Sequence, residues 1–182
     1  MGLIFKQLPV KKIMAAKWLF LSIVFFTFYI NKGLSMKLSS PDFENGQPLP
    51  SFCAYGAENK SPELKLEDVP QNTKSLALIM DDPDAPRGTW VHWVLWNIPP
   101  DVHTIKKGQT PDGAVPGRND FGNTRYDGPA PPSGVHRYYF RVYALDQTLN
   151  LPKGSTKSDL LKKIHGHVLA SAELMGTFAA SR

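Results

Sequence analysis

A single cysteine, Cys53, stands in the 182 residues, so no intrachain disulfide can form and the redox character of the compartment cannot be read from bridges. No base stands near it in sequence, which favours a structural thiol over a nucleophile. Acidic residues are absent from residues 1–35, where Lys6, Lys11, Lys12, Lys17 and Lys32 make up every charge. Those five account for the whole net charge of +5, because the other 16 basic residues face 16 acidic ones. The formally neutral remainder gives no reason to expect a nucleic-acid partner. No Gly-rich nucleotide loop, no His-Glu-x-x-His pair and no Ser or Cys at a strained strand-to-helix elbow occurs, so the familiar signatures of nucleotide, zinc-peptidase and serine-hydrolase chemistry are missing. Internal repeats are missing too.

Long apolar runs are also scarce. The longest uncharged one, Trp18 to Ile30, is preceded by four lysines and is short of the ~20 residues of a spanning helix. A basic segment followed by such a run is the layout of a signal peptide, and Gly33-Leu34-Ser35 supplies small residues for cleavage before Met36. The expectation is a periplasmic or exported protein, or one anchored in the inner membrane. Translation from Met36 would instead give a cytoplasmic chain, with residues 1–35 a misassigned extension. In every case the folded domain is expected over residues 36–182.

Proline and glycine, by contrast, are plentiful, with 16 and 14 copies, and point to short strands joined by many turns. Ser75 to Met80 is apolar at nearly every position and predicts a central strand covered on both faces. Val91 to Ile98 and Tyr138 to Leu145, rich in β-branched and aromatic residues, predict its neighbours. Leu64-Lys65-Leu66 alternates as a half-buried strand does. Trp90, Trp93 and Trp96 cannot all face one way, so at least one belongs to the core. One helix is predicted over residues 157–175, with Thr156 as N-cap, Asp159 at N3, and a stripe of Leu160, Leu161, Ile164, Val168, Leu169, Ala172 and Met175. On it His165 and His167 would point to different sides, which is poor metal geometry.

Two corners carry the chemistry. Met80 runs into Asp81-Asp82-Pro83-Asp84-Ala85-Pro86, and Pro83 and Pro86 stiffen that corner before the next strand opens with His92. A second corner from Tyr126 to Gly134 leads in the same way to His136 and the next strand. Two loops of one design predict a shared pocket of carboxylate, imidazole and Tyr hydroxyl groups. Each histidine taken singly fits a buried strand end as well as it fits a ligand. The stretch 99–137 is long and poor in apolar periodicity, which marks a functional loop; Arg118 to Gly122 is expected to anchor it with Phe121 tucked into the domain.

DPDAP at 82–86, TWVHW at 89–93, GRNDFGNTRYDGPAPPSGVHRYYFRVYALD at 117–146 and GHVLASAELMGTF at 166–178 resemble the phosphatidylethanolamine-binding proteins, also called Raf kinase inhibitor-like proteins. The short loops are similar to those of the bacterial and archaeal branch, and the resemblance covers nearly all of residues 36–182. It implies a mainly β fold, with two antiparallel sheets of Greek-key topology and a C-terminal helix. It also implies a ligand pocket of Asp82, His92, Pro132, His136 and Tyr138, with Asp84 as a supporting carboxylate. Ala130 stands where animal members place a glycine, and its backbone N–H could serve there. The implied activity is non-catalytic binding of a small anionic or phosphate-ester ligand such as a phospholipid headgroup, without a cofactor, and regulation of a kinase or protease partner. The alternative is a hydrolase or zinc-dependent enzyme using Asp, His and Tyr of the same pocket. The oligomeric state stays open, a dimer included.

Overall fold

The computed structural model describes residues 35–180, so the expected signal or anchor segment falls outside the described residues. Eight strands and one α-helix follow one another in the described residues, with a short 3-10 helix at Ser51–Cys53: β1 (Lys37–Ser39), β2 (Leu64–Glu67), β3 (Ser75–Asp82), β4 (Trp90–Ile98), β5 (Thr104–Ile105), β6 (Val115–Pro116), β7 (Val135–Leu145), α1 (Lys157–Ile164) and β8 (Val168–Ala179). They form an antiparallel three-stranded sheet in the order β1-β2-β5 and an antiparallel five-stranded sheet in the order β6-β4-β3-β7-β8. Within the larger sheet the run β7-β3-β4-β6 is a Greek key, as expected.

The central strand is β3, and its apolar character at nearly every position has a plain cause: both faces are covered. Leu76, Leu78 and Met80 pack with Trp93, Leu95, Phe140 and the Leu38, Leu64 and Leu66 side chains of the small sheet. Ala77 and Ile79 pack on the opposite face with Trp96, Leu160 and Ile164, the last two from α1. Trp93 and Trp96 are thus both core, on opposite sides of one sheet. Cys53 is wholly buried in the first of these clusters, and burial pushes its thiol up to about 12, which fits the structural role expected of it.

The helix is shorter than predicted. Thr156 and Asp159 form the expected capping box, but the helix ends at Ile164 and Gly166 adopts a φ of +80°, a left-handed conformation that glycine takes readily. Residues 168–179, predicted as its continuation, are strand β8, paired with β7 along its length. The Ala-, Leu- and Met-rich composition there suits a helix in isolation, and pairing with the long β7 overrides it. His165 and His167 therefore lie off the helix, and His167 Nδ1 meets Asp146 Oδ1 at 2.9 Å on the surface. Among the described residues no helix is long and apolar enough to cross a membrane.

Candidate functional site

Strand β3 ends in two adjacent carboxylates, and the period of two sends them to opposite faces. Asp81 turns to the α1 face, where Arg141 Nη1 donates to Oδ1 at 2.7 Å and the Lys157 ammonium donates to Oδ2. Asp82 turns the other way and accepts His136 Nδ1–H at 2.7 Å on Oδ2, while the Asp84 backbone N–H donates to Oδ1 at 2.8 Å.

His92 reaches the same spot through an irregularity of the ladder. Met80 pairs with Trp93 and Asp81 with Val91, so His92 is the extra residue of a β-bulge. Bulges re-aim side chains, and this one directs His92 against the Tyr138 ring, at 5.2 Å between centroids. His92 Nδ1 meets the Asp127 carbonyl at 2.7 Å, which makes Nδ1 the protonated nitrogen of the neutral ring. Desolvation by burial holds the imidazole below its ordinary value, against the opposing pull of the Asp127 carbonyl and the Asp82 charge. With both Nδ1 atoms engaged, Nε2 is the nitrogen each histidine has left for a ligand.

Asp82, His92 and His136 line a cavity of about 330 Å³ together with Ala85, Pro86, Arg87, Trp90, Phe121, Ala130 and Pro132. Five of the seven expected site residues thus share one cavity wall. Tyr138 is fully buried beneath, and its hydroxyl, close to Asp82 and the Ala130 backbone, closes no hydrogen bond among the described residues. Asp84 is not a lining group: its carboxylate grips Arg137 through Nε at 2.9 Å and Nη2 at 2.7 Å. Its support for the site runs instead through its backbone N–H to Asp82.

Phe121, expected to tuck into the domain, is half-buried and forms part of the cavity wall. It stacks on Tyr55 with centroids 4.7 Å apart and meets Trp90 and His92 edge-on at 5.4 Å. The buried anchor of its loop is Asn119, whose amide donates to Asp127 Oδ2 at 2.8 Å and to the His92 carbonyl at 3.1 Å. Asp127 is fully buried and also accepts from Asn59, Asn123 and Arg125. Burial alone would raise its carboxyl, but the Asn123, Asn59 and Asn119 hydrogen bonds prevail and hold it below the usual range. One polar knot therefore fixes both the loop and the His92 ring. The sequence carried its signal as a cluster of Asn and Asp around Phe121, without indicating which of them was buried.

Gly128, the next residue, is pressed against the chain near Cys53: a Cβ there would stand 1.7 Å from the Cys53 carbonyl oxygen. Tyr126 OH donates to that oxygen at 3.0 Å, Gly128 N–H donates to Asn59 Oδ1 at 2.8 Å, and Tyr55 N–H donates to the Pro129 carbonyl at 3.0 Å. Residues 53–59 thereby back the cavity wall at 126–130. Among the described residues no group of three or more His, Cys, Asp or Glu side chains could hold a metal ion.

The chain is thus a two-sheet β domain with a small cavity where histidines from two strands meet a carboxylate. The family model of the phosphatidylethanolamine-binding proteins matches residues 39–179, and the chain belongs to that family. A UPF0098 protein of Methanothermobacter thermautotrophicus is 49% identical over 148 residues, covering 79% of this chain and 98% of its own. UPF0098 protein YbhB of Escherichia coli is 40% identical over 158 residues, covering 79% of this chain and all of its own. The crystal structure of the phosphatidylethanolamine-binding protein homologue CT736 of Chlamydia trachomatis matches with a TM-score of 0.78 at 41% identity, over 81% of this chain and 99% of that one. That of Escherichia coli YbcL, described as a new member of the mammalian family, matches at 0.76 and 30%, over 81% and 99%. The matched region makes up almost the whole of each of these relatives.

Proposed function

We propose that the domain binds a small anionic or phosphate-ester ligand in the Asp82–His92–His136 cavity and releases it unchanged. The observation that carries this reading is the convergence of two imidazoles, each with Nδ1 engaged and Nε2 left over, beside one carboxylate in a largely apolar cavity. When an imidazole is protonated its Nε2–H donates to an anion oxygen, and the Asp82 carboxylate, bonded to Nδ1, fixes the orientation of the His136 ring. A phosphoethanolamine-like headgroup suits a cavity that offers both a carboxylate and donors. Binding without turnover is supported by the lining: Asp82 and His136 have the geometry of a base and its orienting carboxylate, but no Ser, Thr or Cys borders the cavity to act as nucleophile. Regulation of a kinase or protease by the occupied domain is the accompanying proposal. Residues 1–35, as signal or anchor, would put that encounter outside the cytoplasm; translation from Met36 would put it inside.

The test is calorimetric titration of the domain with O-phosphorylethanolamine. Binding is expected for the parent domain and its loss for the His92→Ala/His136→Ala double variant; equal binding by the two refutes the reading. Affinity is expected to rise as pH falls, because protonation of His92 adds a donor. Since burial holds His92 below its ordinary 6.5, most of the rise falls on the acid side of that value. The second reading, a hydrolase or zinc enzyme built on the Asp82–His136 pair, instead requires zinc binding or ester cleavage that a His92 variant loses.

A further inference from the structure

The proposed ligand is an anion, yet the deep wall of the cavity offers it little fixed positive charge. Asp82, 3% exposed, brings a carboxylate there. His92 is held neutral more firmly than a free imidazole, and His136 spends Nδ1–H on Asp82. Among permanent cations nearby, Arg137 is committed to both oxygens of Asp84 and receives no share of the lining. One Lys or Arg lines the cavity, and it is Arg87.

Arg87 is exposed and, among the described residues, meets no carboxylate and makes no side-chain hydrogen bond. Its place is set by a stiff turn. Pro86 precedes it, Gly88 follows with a φ of +99°, and the Gly88 N–H donates to the Ala85 carbonyl at 3.0 Å. The turn grows out of the Asp82–Pro86 corner, so the backbone that carries Arg87 is continuous with the backbone that carries Asp82. Ala85 and Pro86, which also line the cavity, hold the base of its side chain at the wall. A long side chain rooted at the wall and free of partners can swing its guanidinium across the mouth without breaking any contact.

We infer that Arg87 is the charge clamp of this cavity, closing on the phosphoryl oxygens of the bound ligand and selecting phosphate monoesters over carboxylates of similar size. This rests on the proposed anion-binding role of the cavity. The planar guanidinium fork matches two phosphoryl oxygens and carries its charge at every physiological pH, which an imidazole does not. A dianion gains about twice the Coulomb attraction of a monoanion at the same distance, so discrimination follows from charge without further contacts. The clamp also supplies an attractive field at the entrance, where it is first felt by an arriving anion.

The experiment titrates the domain with O-phosphorylethanolamine, inorganic phosphate and acetate at pH 7.5, for the parent domain and for Arg87→Gln and Arg87→Lys. Thermal melts of the three are expected to coincide, since the side chain is exposed and unpaired. Arg87→Gln is expected to weaken phosphorylethanolamine binding about fivefold, as for one solvent-exposed ion pair, to leave acetate nearly unchanged, and to flatten the salt dependence. Arg87→Lys should fall between, keeping the charge and losing the fork. Parent-like affinity of Arg87→Gln for phosphorylethanolamine, with the parent domain binding it, overturns the clamp and leaves the cavity's proposed role standing. Failure of the parent domain to bind any of the three probes overturns both.

Discussion

Asp81 and Asp82 are the same residue type, side by side on one strand and almost equally buried, yet they serve different ends. Asp81 is saturated: two cations, Arg141 from β7 and Lys157 from α1, close on its two oxygens. Asp82 has one imidazole and one backbone N–H, and it borders an open cavity. The difference shows that burial of a carboxylate does not mark a binding site. What separates the two is that Asp82 borders a cavity and that its imidazole partner keeps a nitrogen free of hydrogen bonds among the described residues.

Changing Asp81 tests the structural side and should have the largest effect on stability. Asp81→Asn leaves Arg141 and Lys157 without their shared carboxylate. Removal of one partner from a buried ion pair is costly, and the cations here keep roughly a quarter to a third of their exposure. A loss of about 2 kcal/mol in urea unfolding is expected, with ligand binding unchanged among folded molecules. Asp82→Asn should reverse the pattern: about 1 kcal/mol of stability lost, but phosphorylethanolamine binding weakened tenfold or more, because the His136 ring loses the carboxylate that orients it and the ligand ammonium loses its counter-charge. If both variants lose stability and binding in the same proportion, the two faces are not distinct.

Asp84→Asn should have the smallest effect, about 0.5 kcal/mol, because its pair with Arg137 is largely solvent-exposed. Its hydrogen bond to Arg137 lowers the Asp84 carboxyl from 3.8 to about 2. A lowered carboxyl stabilises the fold fully above its ordinary value and ceases to do so as pH falls through the folded one. The stability difference between parent and variant should therefore be constant above about pH 5 and vanish near pH 2. A difference that persists at pH 2 would show that Arg137 is held by something other than the charge.

The sheet was legible in the sequence because β3, β4 and β7 carry apolar and β-branched runs that no other element would bury so fully. The pocket was legible because its histidines follow two stiff corners, and the family resemblance brought the corners together. Strand β8 was misread because its Ala, Leu and Met spacing satisfies a helical period, and pairing with β7 is a long-range fact. The bulge at His92 and the Asp127 knot were also invisible, since both depend on which backbone groups meet across tens of residues. Arg87 escaped notice for the opposite reason: a lone exposed arginine has nothing distinctive in sequence, and its meaning comes from its neighbours' charges being spent.

The backing of the cavity by residues 53–59 makes chain length, and not only residue identity, a constraint. That stretch contributes no cavity-lining side chain, yet Cys53, Tyr55 and Asn59 each hold a partner in 126–129. Gly128 leaves no clearance for the two segments to slide past one another. One residue inserted between Cys53 and Asn59 would put at least one of these contacts out of step. The misfit would be passed to Asp127 and from there to the imidazole of His92, so an irregular loop that looks dispensable carries its spacing as strictly as a strand does.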